Sequence, residues 1–80
     1  MRVRVSVMLK DGVLDPQGKA IGHALHTLGF ANLGEVRAGR VIELELDETD
    51  PAKAKAQGDE MGRQLLANLV IETFTTEVVG

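Results

Sequence analysis

The 80-residue sequence contains no cysteine, tryptophan or tyrosine, and its aromatic residues are Phe30 and Phe74 alone. The missing cysteine removes disulfides, thiolate nucleophiles and cysteine-based zinc or iron–sulfur sites together, and it is compatible with a reducing cytoplasm. The scarcity of aromatics removes the platforms on which an RNA-recognition domain stacks bases. Positive charge is also short. Nine Lys and Arg against twelve Asp and Glu give a net charge of −3, the wrong balance for gripping a phosphate backbone. The opening Met1-Arg2-Val3-Arg4-Val5 alternates instead of forming the continuous apolar segment of a signal peptide or membrane span. The expectation is a soluble cytoplasmic protein with no nucleic-acid or membrane partner.

A chain this short buries only about 60% of its extended-chain surface. At roughly 0.05 to 0.15 kcal/mol per residue its stability is no more than roughly 4 to 12 kcal/mol, so burial against a second copy or a partner is a sensible expectation.

The elements read as follows. In residues 2–9, Val3, Val5, Val7 and Leu9 alternate with Arg2, Arg4, Ser6 and Met8, the pattern of a half-buried strand. Asp15-Pro16 starts a helix, with the aspartate as N-cap and the proline at the first helical position. Its stripe of Ala20, Ile21, Ala24, Leu25 and Leu28 runs to Gly29, a candidate left-handed C-terminal cap. Residues 35–47 read as two strands joined by a tight turn at Ala38-Gly39, the second alternating Ile42, Leu44 and Leu46 with Glu43 and Glu45. Asp50-Pro51 repeats the helix-start signature, and this second helix is expected to stop near Asn68. Residues 70–79, rich in β-branched side chains, form the last strand.

The order β-α-β-β-α-β predicts an α+β, ferredoxin-like two-layer sandwich: a four-stranded sheet with both helices on one face, as one domain over 1–80. In that topology Arg2 and Arg4 face Glu43 and Glu45 across neighbouring strands on the open side.

Few residues suggest chemistry. His23 and His26 are spaced i, i+3 but lie off the apolar stripe and lack a third metal ligand. Glu43, Glu45 and Asp47 recur with period two, which describes a solvated strand face better than an acid–base pair. Gly58 and Gly62 each cost about 0.8 to 1 kcal/mol in helix propensity, so close backbone approach should offset them. That approach is either to the chain's own sheet or to a partner subunit. Gly12, Gly18 and Gly22 match no phosphate-loop spacing, although the helix start at 16–18 could attract an anion.

The run Leu14-Asp15-Pro16-Gln17-Gly18-Lys19-Ala20, then His23-Ala24-Leu25-His26-Thr27-Leu28-Gly29-Phe30, closely resembles the first helix region of the PurS family, small subunits of bacterial phosphoribosylformylglycinamidine (FGAM) synthase. Val36-Arg37-Ala38-Gly39-Arg40 resembles the family's V-R-x-G-K turn, and the stretch from Leu65 through Asn68 to Glu72 resembles its L-L-A-N-P-V-I-E. Leu69 departs from a common proline and Phe30 from a common tyrosine.

The resemblance implies a subunit without a catalytic site, cofactor or metal of its own. It implies a homodimer or larger homo-oligomer that joins the ATP-dependent synthetase PurL to the glutaminase PurQ, so that ammonia passes between them to formylglycinamide ribonucleotide. Asp15, Pro16, Gln17, Gly18, Arg37 and Arg40 are the candidate partner contacts. Two other classes share the strand and helix order. An ACT-like regulatory module would bind a small molecule near Lys10-Asp11-Gly12, whereas an acylphosphatase-like enzyme would need an arginine that this loop lacks.

Overall fold

The computed structural model describes residues 1–80. Strand β1 (Arg2–Leu9) forms where the alternation is strictest, and Val3, Val5 and Val7 are almost completely buried. It is the centre of a three-stranded sheet of order β2-β1-β3, with β2 (Gly39–Glu45) and β3 (Glu72–Val78) antiparallel to it on either side. Helix α1 (Pro16–Thr27) joins β1 to β2. Helix α2 (Pro51–Met61), prolonged by a π-helical turn at Gly62–Leu66, joins β2 to β3.

The architecture is therefore β-α-β-α-β, and the expected four-stranded β-α-β-β-α-β sheet is corrected to three strands. Residues 35–38 do not form the fourth strand because their groups are committed elsewhere. The Ala38 N–H donates to the Asp15 carboxylate, the Arg37 guanidinium donates to the Leu9 carbonyl, and Val36 lies against α1 beside Gly18 and Gly22. Ala38-Gly39 is accordingly the entry to β2 and not a hairpin turn.

The second correction concerns the helices. The sheet face carrying Val3, Val5 and Val7 is covered by α2, whereas α1 makes no comparable packing on the sheet. What allows α2 to settle is its glycines. A Cβ at Gly58 would stand 2.7 Å from the Thr76 methyl and 2.8 Å from a Val3 methyl, and one at Gly62 would stand 2.5 Å from the Phe74 ring. Of the two readings of these glycines, packing on the chain's own sheet is the one realised. Ala54 and Ala67 complete a small core, against which Ile42, Leu44 and Val78 are partly buried.

Both helix starts behave as the Asp-Pro pairs predict: the Asp15 carboxylate accepts from the Gly18 N–H at 2.8 Å and that of Asp50 from the Ala52 N–H at 3.0 Å. Helix α1 ends in a Schellman motif, with Gly29 at φ +101° and N–H groups of Gly29 and Phe30 donating to His26 and Leu25 carbonyls. The second helix ends differently from expectation. Asn68 does not take a left-handed cap; Ala67 turns extended at φ −122° and ψ 142°, and the Asn68 side chain accepts from the Val70 N–H.

On the open face the predicted pairing is present. Arg2 stands opposite Glu45 and Arg4 opposite Glu43, with oxygen–nitrogen distances of 3.7 to 3.9 Å in this group and Arg4 also reaching Glu77.

Candidate functional site

The candidate contact residues converge on the N-terminal end of α1. Asp15 is the hub. One carboxylate oxygen caps Gly18, while the other accepts from the Ala38 N–H at 2.9 Å, so one side chain ties the helix start to the entry of β2. The Gly18 N–H first, then the Ala38 N–H and the nearby Arg37 charge, hold the Asp15 carboxyl below its ordinary value of 3.8. Gly18 is buried because the Val36 carbonyl and the Asp15 carboxylate occupy the space a Cβ would need. Pro16 and Gln17, one position away, are exposed.

The two arginines act on opposite sides of this hub. Arg37 donates to the Leu9 carbonyl and to Asp11 at 3.0 Å, with Glu35 at 3.5 Å, so it closes the loop that follows β1. Arg40 points to the other side, where it makes a two-pronged pair with Glu72 at 2.7 and 3.2 Å and donates to the Leu66 carbonyl at 2.6 Å. Glu72 also accepts from the Asn68 N–H at 2.7 Å. The Arg40 hydrogen bonds, and secondarily the Asn68 N–H, hold the Glu72 carboxyl below its ordinary 4.5, and the same pairing raises the Arg40 guanidinium.

Of the partners these residues find, the sequence marks Asp11 only as part of the Lys10-Asp11-Gly12 loop of the ACT-like alternative, and it gives Glu35 and Glu72 no site role. The Glu72 signal exists only once register is known: Arg40 lies opposite Val7 and Glu72 opposite Leu9, which sets the pair diagonally across β1.

An open groove of about 310 Å³ flanks the loop after β1 and is bordered by Lys10, Val13, Asp15, Lys19 and Arg37. The Arg37 guanidinium is already occupied by protein acceptors, leaving Lys10 and Lys19 as the groove's free cations. His23 and His26 are exposed on α1, and no group of three or more His, Asp or Glu is placed to hold a metal ion. No helix is long and apolar enough to cross a membrane.

A polypeptide with two free sheet edges, an uncovered helix and a polar cluster whose hydrogen bonds point inward is equipped to associate. The comparisons give that class its identity. The model of the family described as PurS, phosphoribosylformylglycinamidine (FGAM) synthase, matches residues 2–80. The chain is 45% identical over 77 residues to the phosphoribosylformylglycinamidine synthase subunit PurS of Synechocystis, covering 96% of this chain and 77% of that protein. Among solved structures, Bacillus subtilis PurS superimposes with a TM-score of 0.83 at 42% identity, over 99% of this chain and 98% of that one. Methanocaldococcus jannaschii PurS, described as one of the subunits of formylglycinamide ribonucleotide amidotransferase in the purine biosynthetic pathway, gives the same TM-score at 37% identity over 99% and 98%. The chain belongs to the PurS family, the FGAM synthase subunits of purine biosynthesis.

Proposed function

We propose that this chain, acting as one PurS-like domain over 1–80, is a cytoplasmic, non-catalytic subunit that self-associates and bridges PurL and PurQ. In that role it permits glutamine-derived ammonia to reach formylglycinamide ribonucleotide. Family membership supports the complex. The observation that carries the self-association is the uncovered face of α1.

Ile21 and Leu28 are 41% and 73% exposed, with Leu14 and Phe30 beside them at 64% and 54%, although the stripe has the spacing of a core-facing helix. The shape agrees. The radius of gyration is 15.7 Å, against about 12 Å for a compact 80-residue domain. The accessible surface is 5574 Å², about 900 Å² more than the size scaling gives for a compact monomer of 8.6 kDa. That excess is close to the roughly 800 Å² each partner buries in a standard interface.

The occupant of this face is a second copy of the chain. Leu65 and Val70, 83% and 81% exposed beyond the end of α2, offer an apolar surface of the kind the α1 stripe lacks in its own chain. Two copies related by a twofold axis can exchange these surfaces reciprocally.

The six candidate residues serve contacts in two ways. Pro16 and Gln17 present exposed groups to a partner enzyme, whereas Asp15, Gly18, Arg37 and Arg40 hold the backbone that presents them.

The test has two arms. In sedimentation, the wild-type chain assembles and the Ile21→Glu, Leu28→Glu chain runs as a monomer. In reconstitution with PurL and PurQ, glutamine-dependent product formation requires the chain, while an ammonia-driven control is affected less. Undiminished glutamine-dependent activity in the absence of the chain defeats the bridging role.

A further inference from the structure

Helix α1 is held in place by very little. It has twelve residues, two of them interior glycines, and it does not pack on the sheet as α2 does. An isolated helix of that length is marginal in water, and glycine at two interior positions weakens it further. Something other than the core must therefore keep it helical and aimed.

The fastening is the segment 36–38. Val36 lies across α1 at Gly18 and Gly22: its carbonyl fills the Cβ position of Gly18, and its side chain comes within 3.3 Å of the Cβ position of Gly22. Ala38 is joined to Asp15 at the helix start, and Arg37 is anchored to β1 through the Leu9 carbonyl. The strap thus touches α1 at three points within about two turns and connects it directly to the two strands β1 and β2.

We propose that this strap, seated on Gly18 and Gly22 and pinned by Asp15 and Arg37, sets the direction of α1 before any partner arrives, presenting the apolar arm ready for a second copy. The proposal rests on the self-association reading and explains why α1 keeps glycines that its helix propensity disfavours. Alanine at Gly18 would displace the strap. A helix already aimed loses less freedom on docking than one that swings, so the strap strengthens association through residues that need not touch the second copy. Asp15 and Gly18 are positioning residues in this scheme.

The absence of native cysteine makes the test clean. Spin labels are placed at His26→Cys on α1 and Thr75→Cys on β3, both exposed, in the Ile21→Glu, Leu28→Glu chain. Labelled chains are diluted with unlabelled ones so that only distances within one chain are read. The strap predicts one narrow distance in this background. Adding Gly18→Ala, or separately Asp15→Asn, removes the narrow distance while β1 amides stay protected from exchange. Asparagine still caps Gly18 but cannot accept from Ala38 through its amide nitrogen, so it releases the strap and leaves the cap.

A narrow distance that survives both variants overturns the proposal. So does loss of β1 protection in both, which would make the strap part of the folding core and not an orienting device. If the doubly charged helix variant remains assembled, the reading of the α1 face as the self-association surface falls by itself, and the spin-diluted distances still decide the strap.

Discussion

Helices α1 and α2 share a beginning: each opens on an Asp-Pro pair whose aspartate caps the first turn, and each has glycines four residues apart, the second of the α2 pair starting its π-helical turn. Their surroundings then diverge. The α2 pair, Gly58 and Gly62, seats the helix on Val3, Thr76 and Phe74 of the sheet, and its small side chains become core. The α1 pair, Gly18 and Gly22, admits only a strand-like strap, and the large side chains of that helix stay outside. The contrast teaches that glycine spacing specifies close approach without specifying to what. In α2 the absent Cβ atoms make room for a sheet; in α1 they make room for one backbone segment.

The largest effect that can break this comparison is on stability. Gly58→Ala forces a Cβ onto stiff β-branched neighbours, and we expect a net loss of about 1–2 kcal/mol after the helix-propensity gain, with Gly62→Ala similar or milder because the Phe74 ring can tilt. Urea unfolding measures both. An unchanged midpoint in Gly58→Ala would mean that α2 is not seated on the sheet as described.

Acid should act on the hub and on the Arg40 pair together. The folded-state carboxyls of Asp15 and Glu72 are depressed below 3.8 and 4.5. Their contribution is therefore complete above those ordinary values and is lost as pH falls through the lower folded-state values. The urea midpoint should decline below about pH 5, and Glu72→Gln should flatten that decline. Identical pH profiles for wild type and Glu72→Gln would remove the Arg40–Glu72 pair from the account.

A smaller effect sharpens the contrast between the helices. At Gly22 the added Cβ meets only a Val36 methyl at 3.3 Å, so Gly22→Ala should lie within about 0.5 kcal/mol of wild type, the tight contact offsetting the gain in helix propensity. The smallest change belongs to the open face. Arg4→Ala removes exposed pairs at 3.7 and 3.8 Å and should cost less than about 1 kcal/mol, a difference that shrinks further as salt is added.

Much of the fold was legible because local signals agreed. The alternation of 2–9, the two Asp-Pro starts and the Gly29 stop each map onto an element or a cap. So does the pairing of Arg2 and Arg4 with the glutamates of β2. The fourth strand failed because the short alternation Glu35-Val36-Arg37-Ala38 is overridden by distant groups, Asp15 and the Leu9 carbonyl, which claim the Ala38 N–H and the Arg37 guanidinium. The placement of α1 failed for a related reason: an apolar stripe says that a helix will be covered, not that its own sheet will cover it. Of the site, Asp15 and Gly18 were visible as cap and first turn, whereas their link to Ala38 spans 23 residues of sequence. The tie between Arg40 and Glu72 likewise required the register of three strands.

The π-helical turn at Gly62–Leu66 has a geometric consequence for the whole far end of the molecule. A wider turn retards the azimuth of everything after it, by up to about 100° for each residue accommodated. The helix can thus keep Gly58 and Gly62 in phase with the sheet while swinging the Leu66 carbonyl round to the Arg40 guanidinium and leaving Leu65 facing outward. It works as a vernier between two alignments, one set by the sheet beneath Gly58 and Gly62 and the other by the Arg40 guanidinium beyond them.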